Sequence, residues 1–167
     1  MKSIFPLFFL FVCLCFAACN DDEAGPGGGD NGDFFEATID GAAYRATGAE
    51  AYATIFSADN SIAIYGTGTP GTAVYPILFL SFEDGFDGQE GTYAMGLGEN
   101  AFGTYTNSGG EFTFGTASTN PAATGTVTIS ARTDDRIAGT FSFTAIDLVD
   151  GTTTVEVTDG KFDVGIQ

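Results

Sequence analysis

From Phe34 to the C-terminus, apolar and polar residues alternate with a period of two, and no stretch sustains a helical stripe. Phe35, Ala37 and Ile39 alternate up to Asp40-Gly41, a two-residue hairpin signal, and Tyr44 and Ala46 resume the pattern beyond it. Ile62 and Ile64 alternate with small residues in the next readable strand. Residues 74–82 (VYPILFLSF) form the most continuous apolar run of this region, which predicts a strand buried on both faces. Pro76 has no N–H to give a ladder, so it belongs at a bulge or at the start of that strand.

The C-terminal third is the clearest. Val127, Ile129 and Ala131 share one face, with hydroxyls on the other. A turn at Asp134-Asp135 leads to a strand whose core face carries Phe141, Phe143 and Ala145. Val155 and Val157 alternate up to Asp159-Gly160, which reads as a second tight hairpin, and Phe162, Val164 and Ile166 close the chain. Such alternation gives each sheet one wet and one dry face, the mark of antiparallel sheets. The expected fold class is therefore all-β, an antiparallel β-sandwich over residues 34–167, with a closed β-barrel as the alternative. A domain of this length buries roughly two thirds of its chain surface, so it needs no covalent staple.

Ahead of this domain the pattern changes twice. Met1-Lys2-Ser3 is a short basic start, and residues 4–16 (IFPLFFLFVCLCF) are almost wholly apolar. That run falls short of the ~20 residues of a spanning helix and fits the core of a secretory signal peptide over residues 1–18. Residues 20–33 then hold no large apolar side chain, which predicts a flexible acidic, Gly-rich tether from residue 19 to residue 33.

Charge and composition narrow the function classes. With 22 Asp+Glu against 5 Lys+Arg, the net charge is −17, and nucleic acid and anionic membrane surfaces repel such a chain. The absence of His removes the commonest general base and the commonest zinc ligand. Cys13 and Cys15 fall within the segment to be removed, which leaves Cys19 alone and rules out a disulfide in the mature chain.

Two short motifs near the start carry a resemblance. Phe16-Ala17-Ala18-Cys19 resembles a bacterial lipobox, with Phe16 where Leu is usual. The resemblance implies cleavage before Cys19, a diacylglyceryl group on its sulfur, and a further fatty acyl chain such as palmitate on its amine. Two or more chains suffice for stable anchoring, at ~0.8 kcal/mol per buried methylene. Asp21, Asp22 and Glu23 follow at once and resemble the export signal of Bacteroidota lipoproteins, which implies display on the outer leaflet of the outer membrane. The body adds a third resemblance. Residues 35–41 (FEATIDG), Gly91-Thr92-Tyr93, residues 125–129 (GTVTI), 137–145 (IAGTFSFTA) and 157–164 (VTDGKFDV) occur in the order seen in a family of small, functionally uncharacterised Bacteroidota cell-surface lipoproteins. That family supplies no catalytic residues to carry over.

The remaining candidates each have a plainer alternative. Asp84, Asp87 and Glu90 lie on a Gly-bent loop and offer the hard oxygen ligands of Ca²⁺, or are a solvated acidic loop in an acidic chain. The same carboxylates are candidates for the acid and base of a glycoside hydrolase, which needs two facing carboxyls ~5 to 9.5 Å apart. Phe102, Tyr105, Phe112 and Phe114 form either an aromatic ligand platform or core. Arg132 and Arg136 flank Asp134-Asp135 as local ion pairs, and Lys161 reads as an edge charge in a hairpin. Residues 66–71 are Gly-rich, but no Lys or helix follows to make a phosphate cradle.

The functional expectation is a lipid-anchored outer-membrane lipoprotein whose β domain is a non-catalytic binding module, its partner a glycan or an envelope protein. The alternatives are a structural accessory of an envelope complex and, behind it, a carboxylate-based hydrolase.

Overall fold

The computed structural model describes residues 32–56, 61–67, 76–82, 89–111 and 113–167. Strands take up 67% of these residues, and among them there is no α-helix, only a 3₁₀ turn at Gly48–Glu50. The strands are β1 (Phe34–Ile39), β2 (Ala42–Thr47), β3 (Ala51–Phe56), β4 (Ser61–Gly66), β5 (Ile77–Phe82), β6 (Gly91–Met95), β7 (Ala101–Thr106), β8 (Thr113–Gly115), β9 (Thr124–Arg132), β10 (Arg136–Asp147) and β11 (Thr154–Gly165).

All eleven strands join one sheet, ordered β2-β1-β11-β10-β9-β6-β7-β5-β4-β3, with β8 bridging β7 and β10. That bridge closes β6, β7, β8, β9 and β10 into a five-stranded barrel. The strands outside it form two arms, β11-β1-β2 and β5-β4-β3. A parallel bridge between Ala53 and Ile166 ties the arms together, reinforced by the Gln167 N–H donating to the Ala53 carbonyl at 2.9 Å. The all-β expectation thus holds, and its two architectures coexist in one core. That core is continuous from Phe35 and Ala53 on the arms to Val127, Ile129 and Phe143 in the barrel.

Two features depart from the regular antiparallel pattern that the sequence predicts. β6 and β7 run parallel through the single pair Met95–Ala101, made by a five-residue loop rather than a long crossover. Asp159-Gly160 is not a hairpin. It is a β-bulge inside the twelve-residue β11, where the register slips against both β10 and β1. The bulge turns the alternation over, so Val155 and Val157 share the core face with Gly160, Phe162 and Val164. A one-residue slip and a hairpin leave the same mark on a hydrophobic pattern, which is why the sequence reading chose the commoner one. By contrast Asp40-Gly41 is a two-residue turn as expected, with both residues at positive φ (47° and 81°).

Strand β5 is buried on one face, not two. Leu78, Leu80 and Phe82 are inaccessible, whereas Ile77 is exposed and Phe79 and Ser81 are half-buried. Pro76 directly precedes the strand, as its missing N–H requires.

Without Trp, the core is filled by phenylalanines laid over glycines. Phe141 stands opposite Gly160, Phe162 opposite Gly139, and Phe143 opposite Gly125. A Cβ at Gly160 would sit 2.6 Å from the Phe141 ring, and one at Gly103 would sit 2.7 Å from Phe143. Across the arms, Phe35 covers Gly66 in the same way, its ring 2.8 Å from where a Cβ would stand. The rings of Phe35, Phe141 and Phe162 pack on one another with centroids 5.0 to 6.2 Å apart. Each buried ring contributes about 1.5–3 kcal/mol of hydrophobic stabilisation, and the glycines make room for it at normal strand spacing.

Candidate functional site

Strand directions give the domain two ends of different character. β1 and β10 start, and β2, β9 and β11 finish, at the end that holds Asp33. Asp33, counted with the tether by composition, is held there by three elements. Its backbone carbonyl accepts from Gly48 N–H at 2.7 Å. Its Oδ1 accepts from Gly165 N–H and from Arg136 Nη1, each at 3.0 Å. Arg136 also binds Asp163 Oδ1 through Nε at 2.8 Å and Nη2 at 2.7 Å.

The expected pairing of Arg132 and Arg136 with Asp134-Asp135 is therefore replaced. The β9–β10 turn is tied internally instead, with Thr133 Oγ1 donating to Asp135 at 2.7 Å. That hydroxyl, together with backbone hydrogen bonding, holds the Asp135 carboxyl below its ordinary pKa. Arg132 caps Thr133 and Arg136 carbonyls. Lys161 lies on β11 between β1 and β10, opposite Glu36 and Thr140, so it is a central-strand residue and not an edge charge. Arg45 pairs with Glu36 at 2.8 Å.

The opposite end is made of loops. Residues 96–100, 116–123 and 148–153 meet there, beside the Asp40-Gly41 turn. Asn120 joins two of the loops, donating from Nδ2 to the Gly151 carbonyl at 3.1 Å while its Oδ1 accepts from Ala122 N–H at 3.0 Å. Asp147 ends β10 as a buried turn-former, its Oδ1 accepting from Val149 N–H at 2.7 Å and Asp150 N–H at 3.1 Å. Asp150 in turn binds the backbone N–H groups of Thr152 and Thr153 and both their hydroxyls. The Thr153 hydroxyl and those two N–H groups lower its pKa to about 2.

Two shallow hollows meet at Thr124 on this end. One, of about 310 Å³, runs between the loop holding Leu97 and Glu99 and the loop holding Ser118, Asn120 and Pro121. The other, of about 360 Å³, lies over the outer face of β9, β10 and β11 and is lined by Thr124, Thr126, Ser142, Thr144 and Glu156. Each hollow has one carboxylate on its wall, Glu99 in the first and Glu156 in the second.

These contours sit within the segment covered by a known family model. The model, described as a domain of unknown function (DUF6252), matches residues 31–164, most of the chain. The chain belongs to the DUF6252 family. No curated protein and no solved structure shows a significant match to it.

In this DUF6252 domain the other sequence-derived candidates fall in several places. Cys19, Asp21, Asp22 and Glu23 lie outside the described residues, as do Asp84 and Asp87. Glu90 is exposed just before β6, and among the described residues no three His, Cys, Asp or Glu side chains are gathered to hold a metal. Phe112 is outside the described residues. Tyr105 and Phe114 stack at 6.1 Å and pack against the core at the loop end, as a core role would have it. Burial, and then the charge of Asp40, raises the pKa of Tyr105, which places the Asp40 turn beside that ring pair. Phe102 lies half-buried on the outer face of β7, opposite Ser81.

Sequence reading missed two features. An aromatic ladder, Tyr52–Tyr65–Phe79, runs across β3, β4 and β5 with centroids 4.8 Å apart and half-buried rings. Neighbouring strands supply one ring each, so no single segment betrays it. The loop end was missed as well, although Leu97, Leu148 and Val149 are apolar residues set among Gly, Asn, Glu and Asp, the one signal available.

Proposed function

We propose that this chain is a lipid-anchored outer-membrane lipoprotein of the Bacteroidota type, and that its β domain is a non-catalytic binding module. The lipobox-like residues 16–19 and the acids Asp21, Asp22 and Glu23 support the anchor and its display. One structural observation carries the binding role. The chain enters the domain at Asp33, clamped by Arg136 and Gly165, while the loops and both hollows lie at the other end. A tether attached at Cys19 would hold the Asp33 end toward the membrane and turn the loop end outward. Binding surfaces sit on loops carried by a rigid scaffold for the same reason, since the loops can vary while the core holds.

The test uses the chain's lack of other cysteines after processing. Wild-type protein should partition with membranes, and Cys19→Ala should not. An Asn100→Cys variant then presents one free thiol on the loop end. A membrane-impermeant maleimide should label it on intact cells. Labelling only after the outer membrane is permeabilised would overturn the surface reading.

A further inference from the structure

The two ends of the domain differ in charge as well as in shape. Arg45, Arg132, Arg136 and Lys161 are the basic residues of the chain other than Lys2. All four lie on the half nearer Asp33: Arg132 and Arg136 at the end of β9 and start of β10, Lys161 and Arg45 in the row that includes Glu36. The loop end has none. It exposes Asp40, Glu99, Asp150 and Glu156. It also exposes three of the five large apolar side chains left open to solvent among the described residues: Leu97 at 62%, Leu148 at 54% and Val149 at 88%. The loops that carry them are joined: Leu97 and Asn120 line the same hollow, and Asn120 holds Gly151 in the loop of Leu148 and Val149, where Leu148 rests against Gly115 next to Phe114.

Exposed aliphatic groups ringed by polar ones mark interaction surfaces, and the ring here has a single sign. From this we infer that the loop end docks a protein segment bearing Lys or Arg around an aliphatic or aromatic anchor. The inference rests on the binding-module reading and names its partner class. Other occupants fit less well. A second copy docked loop end to loop end would set acid against acid with no cation to answer it. An anionic lipid surface meets the same repulsion. A neutral glycan gains nothing from an acidic rim or from Leu97 and Val149, although the Thr-lined hollow has hydroxyls to offer it.

The experiment measures fluorescence anisotropy of labelled probes with the full lipidated chain in uncharged detergent, empty micelles serving as the blank. The probes are a short Lys/Leu peptide, a Lys/Ser peptide of equal charge, a Glu/Leu peptide and a neutral hexasaccharide. The Lys/Leu peptide should bind best, with the other two peptides at least about tenfold weaker, as expected when both anchor and charge count. Leu97→Ser combined with Val149→Ser should weaken it about tenfold, whereas Phe56→Ser with Ile77→Ser, exposed on the β5-β4-β3 arm, should not. Equal binding of Lys/Ser and Lys/Leu would overturn the proposal by reducing it to bulk charge. So would indifference to the Leu97/Val149 pair, or self-association that this pair abolishes. Hexasaccharide binding without peptide binding would overturn the partner class and leave a binding module standing. No binding of any probe, with Asn100→Cys unlabelled on intact cells, would remove both readings.

Discussion

The Asp33 end and the loop end of this domain are built from the same strands, yet they solve different problems. At the Asp33 end, backbone and side chain are tied down together, and one guanidinium serves two carboxylates from distant parts of the sequence. At the loop end Asp147 and Asp150 shape their own loop by binding its N–H and hydroxyl groups, and they have no guanidinium partner among the described residues. Cations are spent on the first end and absent from the second. The contrast separates an end braced by long-range pairing from one whose apolar tips stand open to solvent.

The strongest way to break the comparison is to damage the scaffold both ends share. Gly139→Ala would put a Cβ 2.1 Å from the Thr128 carbonyl oxygen, which is backbone and cannot step aside. A loss of about 3 kcal/mol or more is expected, seen as a collapse of the urea midpoint and of both ends together. Gly125→Ala, with its Cβ 2.3 Å from Phe143 Cβ, should behave alike. If either variant folds with wild-type stability, the ring-over-glycine account of the core is wrong.

Arg136→Met tests the clamp alone. Its partners are partly solvated, with side-chain exposures of 28% and 31%, so the loss should be about 1 kcal/mol. Amide exchange should quicken at Gly48 and Gly165, the two N–H groups that meet Asp33, while peptide binding at the loop end stays unchanged. Altered binding would mean that the ends are coupled.

Leu97→Ser with Val149→Ser tests the converse. Stability should stay within about 0.5 kcal/mol, because neither side chain is part of the core. A large drop in melting temperature would assign these residues to structure instead.

The smallest effect concerns Asp150. Its pKa is depressed to about 2 from 3.8. Its contribution to loop order is therefore complete above the ordinary carboxylate value and is lost as pH falls through about 2. The carboxyl carbon shift should titrate near that value, and Asp150→Asn should speed exchange at Thr152 and Thr153 without moving the global midpoint. Titration near 3.8 would show that the loop is not held as described.

Much of this was legible in the sequence because it depends on near neighbours. The Asp40-Gly41 turn, the core faces of β1 and β10, and the start of β5 after Pro76 all follow from period two and local backbone chemistry, whereas on β9 Val127 and Ile129 face the core but a register shift at Ser130 sets Ala131 opposite the half-buried Ala138 instead. The misread elements share a cause. Asp159-Gly160 has turn composition in both a bulge and a hairpin, and only the unbroken pairing of β11 with β1 and β10 separates them. Arg136 sits beside Asp134-Asp135 in sequence, yet its partners are 103 and 27 residues away.

By itself, then, the sequence determined the strand class, most turns and the extent of the family domain. These rest on composition and on contacts a few residues long. Tertiary structure decided how β8 closes a barrel, which glycines lie beneath which rings, and that the four basic residues of the domain lie on the half nearer Asp33. A residue's distance from the ends of a strand is set by register across the whole sheet. No periodicity in the chain records it.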